Sequence, residues 1–173
     1  PEERSNQPYK FDNLILSFNG EIYNFLEIKK KLISKGYNFK TTSDTEVIIK
    51  LFHLKGIESF KDLSGIFSIS IYDTNNKKLY LIRDTVGVKP LYYYHNSTTK
   101  KFIFSSLIKP ILISSNNIEV NEKAIDAYAN FNRNDLRETF YKNIFKVLPG
   151  ELIELDNGNI KRINFLKFNF NKN

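Results

Sequence analysis

Apolar residues recur along this chain with two different periods, and the period predicts the element. Residues 14–18 form a dense apolar run that predicts a strand. The run stops at Asn19-Gly20, which predicts a strand ending there and turning toward a helix. Phe25, Ile28 and Leu32 keep helical spacing, Asn24 and Glu27 make a capping box before them, and Gly36 supplies a stop. Residues 37–40 predict a short strand. Ser43 with Glu46 makes a second capping box. Val47, Ile48, Leu51 and Phe52 then line one face of a helix that stops at Gly56. Each of those side chains contributes roughly 1.5–3 kcal/mol when buried. Residues 57–63 predict a helical turn.

Residues 66–72 alternate, with Phe67, Ile69 and Ile71 on one face and Ile66, Ser68, Ser70 and Tyr72 on the other. Thr74-Asn75-Asn76 marks a turn, and residues 78–82 return as the second strand of a hairpin. Pro90 cannot donate to a ladder, so the next strand, residues 91–94, starts after it. Residues 102–105 predict another strand, and 107–113 a helix that Pro110 kinks or ends early. Asn121 caps a helix running to Phe131, residues 132–146 read as loop and turn, and Asn157-Gly158 joins a last hairpin of residues 151–155 and 160–165. The polar residues 1–12, with two prolines, read as a connecting loop. Hairpins interrupted by two pairs of helices predict an α+β fold of antiparallel sheets with helices on their outer sides. No repeat, linker or second domain interrupts residues 1–173.

Composition narrows the function classes. A chain of 173 residues, 41% hydrophobic and 14% aromatic, is globular and large enough for a core. Its apolar runs are too short to cross a membrane, and no basic-then-apolar leader opens it. The net charge of +7 comes from scattered lysines, apart from Lys29-Lys30-Lys31, so neither a nucleic-acid nor a membrane surface is expected. Cysteine is absent, which excludes disulfides, cysteine–zinc sites and a cysteine nucleophile within this sequence. Methionine is absent too, so the chain is expected to be a fragment whose true N-terminus lies upstream. His53 and His95 have no metal-ligand neighbours, and no metal site is expected. No phosphate-binding glycine motif occurs.

The candidate chemistry centres on Phe18-Asn19-Gly20-Glu21-Ile22-Tyr23-Asn24. A side-chain amide beside an unhindered backbone N–H can donate two hydrogen bonds to an oxygen acquiring negative charge. Gly20, without a Cβ, lets a ligand approach the backbone. An ordinary Asn-Gly turn is the alternative for that dipeptide alone. The other motifs come in order: Thr42-Ser43-Asp44-Thr45-Glu46, Leu63-Ser64-Gly65-Ile66-Phe67, Arg83-Asp84 through Lys89-Pro90-Leu91-Tyr92-Tyr93, and Leu148-Pro149-Gly150. Together they resemble the glutaminase domain of glutamine-dependent asparagine synthetases, class II glutamine amidotransferases with an N-terminal-nucleophile fold.

That resemblance implies a four-layer α/β/β/α sandwich lacking its first strand or strands, as one domain over residues 1–173. It implies that Asn19 and Gly20 form the oxyanion hole, that Glu21 borders a glutamine pocket, and that Asp44 holds the substrate α-ammonium. A charge-assisted bond of that last kind is worth about 1.5–3 kcal/mol. The alternative for Asp44 is a first-turn helix charge worth about 0.3–1 kcal/mol. In the family an N-terminal cysteine attacks the amide, its own α-amine is the base, and an upstream arginine clamps the α-carboxylate; none of these is in the chain. The resemblance further implies glutamine as substrate, no cofactor in this domain, and a synthetase domain of the same parent protein using ATP and Mg²⁺ to amidate aspartate. It also implies a cytoplasmic location and leaves a homodimer open. Thr85 stands where a further basic residue is common and Leu107 where a Glu is expected, which weakens the contacts expected with the synthetase domain. A non-catalytic pseudo-amidotransferase module, or an enzyme acting on another carboxylate, remains the alternative.

Overall fold

A computed structural model describes residues 6–115, 118–131 and 137–165. The chain forms two compact units, Pro1–Lys89 with Pro149–Asn173, and Pro90–Leu148.

The first unit is an antiparallel sheet of β1 (Tyr9–Phe11), β2 (Leu14–Ile22), β3 (Gly65–Asp73), β4 (Lys78–Arg83), β8 (Glu151–Asp156) and β9 (Asn159–Asn164), in that order. The alternation along β3 sets its faces. Phe67, Ile69 and Ile71 are buried in a core shared with α1 (Phe25–Ile33) and α2 (Asp44–Lys55). Ile28 and Leu32 of α1 and Val47, Ile48, Leu51 and Phe52 of α2 complete it, as their spacing predicts. Helix α2 is buried from Thr45 to Phe52 on every side, so Glu46 and Lys50 are buried as well. A 3-10 helix, Gly56–Asp62, follows where a helical turn is expected.

Several local expectations change. Residues 1–12 are not all loop, because β1 lies among them and pairs with residues 14–16 of β2. Strand β2 does not end at Asn19-Gly20 but continues to Ile22, with Gly20 opposite Phe67. Gly20 has φ 149°, and a Cβ there would overlap the Ile66 carbonyl oxygen. The glycine therefore serves the close approach of β3 where a turn was expected. Residues 37–40 form no strand, since side chains of α2 take their polar backbone groups: Lys50 bonds the Asn38 carbonyl, and Glu46 accepts the Lys40 N–H. Neither capping box closes. Asn24 spends its amide on the Asp62 carbonyl (2.8 Å) and the Ser64 N–H (3.0 Å), pinning the start of β3. Ser43 does cap α2, accepting from Thr45 N–H at 3.1 Å, but Glu46 turns inward.

In the second unit the sheet order is β6 (Lys101–Ser105), β5 (Tyr92–Asn96), β7 (Ile144–Lys146), all antiparallel. The Tyr93 ring, fully buried, stacks on Phe102 at 5.6 Å and meets Phe145. Helices α3 (Ile108–Ser114) and α4 (Glu122–Phe131) accompany it. Pro110 neither kinks nor shortens α3, because it falls in the first turn, where a missing N–H has no partner to lose. The loop expected over 132–146 lies outside the described residues at 132–136. Further on it contains β7 and the bridges Val120↔Tyr141 and Glu138↔Phe145. No helix among the described residues is long and apolar enough to cross a membrane.

Candidate functional site

Hydrogen-bond parity along β2 decides what its central residues offer. In an antiparallel strand successive N–H groups point to opposite edges. Just past β2, Tyr23 N–H donates to Ser64 on the β3 side at 2.7 Å. Phe18 N–H instead donates to Gln7 Oε1 at 2.6 Å, and Ile22 N–H to Asp44 Oδ2 at 3.2 Å. Gly20 falls between Phe18 and Ile22 with the same parity. Its N–H points away from β3, along the edge where Asp44 sits. Phe67, opposite Gly20, confirms the parity by directing both its backbone groups to Asp84. Two residues of strand separate the Gly20 and Ile22 N–H groups by about 6.5–7 Å. An extended glutamine sets its side-chain amide and its α-ammonium about as far apart.

Asn19 and Glu21 flank Gly20 on the opposite face of the sheet from the helices, and both side chains are exposed. Among the described residues, no side-chain hydrogen bond engages the Asn19 amide. Asp44 is half-buried at the first position of α2, with Ser43 Oγ 3.4 Å from its Oδ1. The structure thus brings Gly20 N–H and the Asp44 carboxylate to one strand edge, with Asn19 and Glu21 on the adjoining open face.

Beneath Asp44 lies a charged cluster that the periodicity of α2 does not reveal. Glu46 is completely buried and accepts from Lys40 N–H, Thr41 N–H and Thr41 Oγ1, the last two at 2.7 Å. Lys50 Nζ pairs with it, under the rings of Phe39 at 4.4 Å and Phe11 at 5.1 Å. Burial alone would raise the Glu46 pKa; the Lys50 ammonium and the Lys40 and Thr41 donors outweigh it and hold the carboxyl at about 2. Tyr9 of β1 is pushed up to about 12, by burial first and by the Glu46 charge second. The available signal in the sequence was Lys50, four residues after Glu46 and among the apolar positions of one helix.

The loop after β4 is a second motif, closed upon itself. The Asp84 carboxylate, fully buried, accepts from the N–H groups of Val86, Gly87 and Val88 on Oδ1 and of Lys89 and Phe67 on Oδ2, at 2.6–3.3 Å. These donors outweigh burial and lower its pKa. Arg83 donates to the carbonyls of Lys89 (2.8 Å) and Gly87 (2.7 Å), inside the same loop. Gly87 has φ 76°, and a Cβ there would lie 2.7 Å from Pro149 Cγ.

Residues 1–166 match the family described as glutamine amidotransferase domain. The chain is 34% identical over 171 residues to asparagine synthetase [glutamine-hydrolyzing] 1 of Bacillus subtilis, covering 97% of the chain and 27% of that protein. It is 43% identical over 84 residues to the asparagine synthetase [glutamine-hydrolyzing] of Gallus gallus, covering 48% of the chain and 14% of that protein. The chain thus spans about a quarter of the first relative's length and less of the second's. Among solved structures it resembles the glutamine phosphoribosylpyrophosphate amidotransferase of B. subtilis, with TM-score 0.63 and 22% identity over 92% of this chain and 32% of that one. This likeness bears out the expected α+β fold of antiparallel sheets and helices. On sequence and fold together, the chain belongs to the family of glutamine amidotransferase domains.

Proposed function

We propose that this chain is the glutamine-recognising part of a glutaminase site in an asparagine synthetase-like protein. The observation that supports the reading is the shared edge of β2, where the Gly20 N–H has the same parity as the Ile22 N–H that donates to the Asp44 carboxylate. Gly20 N–H, with the Asn19 amide, would receive the amide oxygen as it gains negative charge during acyl transfer. Asp44 would take the α-ammonium, and Glu21 would border the side chain. The nucleophile would come from outside these residues, since the sequence has no cysteine, and so would the α-carboxylate clamp that the family resemblance implies. The released ammonia would serve ATP- and Mg²⁺-dependent amidation of aspartate, in the cytoplasm, by a synthetase part of the same protein; no residue of this chain is assigned to ATP or Mg²⁺. Pairing with a second copy belongs to the same reading and is checked by analytical ultracentrifugation.

The test is glutamate release from glutamine by the protein expressed from its full gene, beside the isolated 173-residue chain. Release by the former and none by the latter is expected. No release by a full-length protein carrying a cysteine after its initiator Met would sink the reading.

The complete absence of cysteine favours a second reading, a pseudo-amidotransferase that binds or docks without catalysis. Any residue other than Cys at that position in the full gene product would decide for it. Another carboxylate acceptor is separated from aspartate by assaying amidation of each.

A further inference from the structure

We propose that Thr41 is a positioning residue for Asp44, anchored on the buried carboxylate of Glu46. The inference deepens the proposed function and rests on it in one respect, that Asp44 is the group receiving the α-ammonium. The bonds run in one direction. An ionised carboxylate only accepts, so the Thr41 hydroxyl must give its single proton to Glu46 Oε2, at 2.7 Å. Its oxygen is then left to accept, and it takes the Ser43 N–H at 3.2 Å. Ser43 Oγ accepts from Thr45 N–H at 3.1 Å, which leaves its own proton for Asp44 Oδ1 at 3.4 Å. The second oxygen of Asp44 is fixed from β2 by Ile22 N–H at 3.2 Å.

Each hydroxyl proton in this relay has one destination, so the carboxylate is aimed from inside the core. The anchor itself cannot swing, because Glu46 is held by Lys50 and by the Lys40 and Thr41 amides. A carboxylate offers about four lone-pair sites. Two are committed here, and the other two remain for an incoming ammonium.

Thr41→Val removes the hydroxyl while keeping the shape, and Thr41→Ser restores it. Two readouts are taken on the full-length protein. The first is calorimetric binding of glutamine against 4-carbamoylbutanoate, the same molecule without its α-ammonium. The second is hydrogen exchange at the Ile22 amide. Thr41→Val is expected to lower the preference for glutamine and to speed Ile22 exchange, each about tenfold, with Thr41→Ser restoring both. Weakening of both ligands in equal proportion, with Ile22 exchange unchanged, would show Thr41 to be merely structural and overturn the proposal. A wild-type protein indifferent to the α-ammonium would overturn the role given to Asp44. Ile22 exchange would then still decide whether Thr41 positions it.

Discussion

Asp44 and Asp84 both sit in short motifs of the sequence, yet the fold surrounds them in opposite ways. Asp84 is fully buried and accepts five backbone N–H groups, four from its own loop and one from β3. Asp44 is half-buried, is touched by one N–H and one hydroxyl, and faces an open strand edge. A carboxylate whose acceptor sites are filled by backbone is part of the architecture. One with sites to spare is available to a ligand. Motif membership alone does not separate the two cases; the count of donors does.

The largest effect that can test this contrast is expected at Asp84. Asp84→Asn turns an acceptor into a donor against converging N–H groups and should cost about 4 kcal/mol or more in urea unfolding. A loss below about 1 kcal/mol would remove its architectural role. Next is Gly20→Ala. Its Cβ would strike the Ile66 carbonyl from a backbone at φ 149°, so a destabilisation of about 2–4 kcal/mol is expected by the same measurement.

Acid titration follows in size. An unfolded glutamate titrates near 4.5, whereas folded Glu46 titrates at about 2. Between those values the unfolded chain binds more protons, so the stability contributed by Glu46 is complete above pH 4.5 and is lost as pH falls toward 2. Asp84, also lowered, acts in the same direction. Thermal unfolding from pH 6 down to pH 2 reads the slope, and a Lys50→Met background, which lets the folded Glu46 pKa rise toward its unfolded value, should flatten it. The smallest change in stability, within about 1 kcal/mol, is expected for Asp44→Asn, together with an at least tenfold loss of glutamine binding. If Asp44→Asn unfolds the protein as Asp84→Asn does, the contrast between the two aspartates disappears.

Much of this was legible in the sequence alone. The helices, the 66–82 hairpin and the family followed from spacing and motif order, because core-facing periodicity is a local property. What was not legible depended on distant partners. Asn19-Gly20 carried the strongest turn signal in its region, yet the close approach of β3 kept it inside a strand. Asn24 and Glu46 fitted capping boxes, but Ser64 lies 40 residues from the first, and the second found a buried lysine. Three-residue strands such as β1 and β7 are too short for any periodicity to mark. At the candidate site, Gly20 and Asp44 could be proposed from the motifs of the sequence. That they share one edge followed only from strand parity, and Thr41 was invisible because its role lies entirely in one hydroxyl between two others.

Gly150 N–H donates to the Asp84 carbonyl at 2.9 Å, joining the start of β8 to the end of β4 within the first unit. The two places where the chain of the first unit is interrupted are thereby already joined, since β4 and β8 are neighbours. A short peptide bridge replacing residues 90–148 should therefore yield a miniature of that unit which keeps the strand edge carrying Gly20 and Asp44.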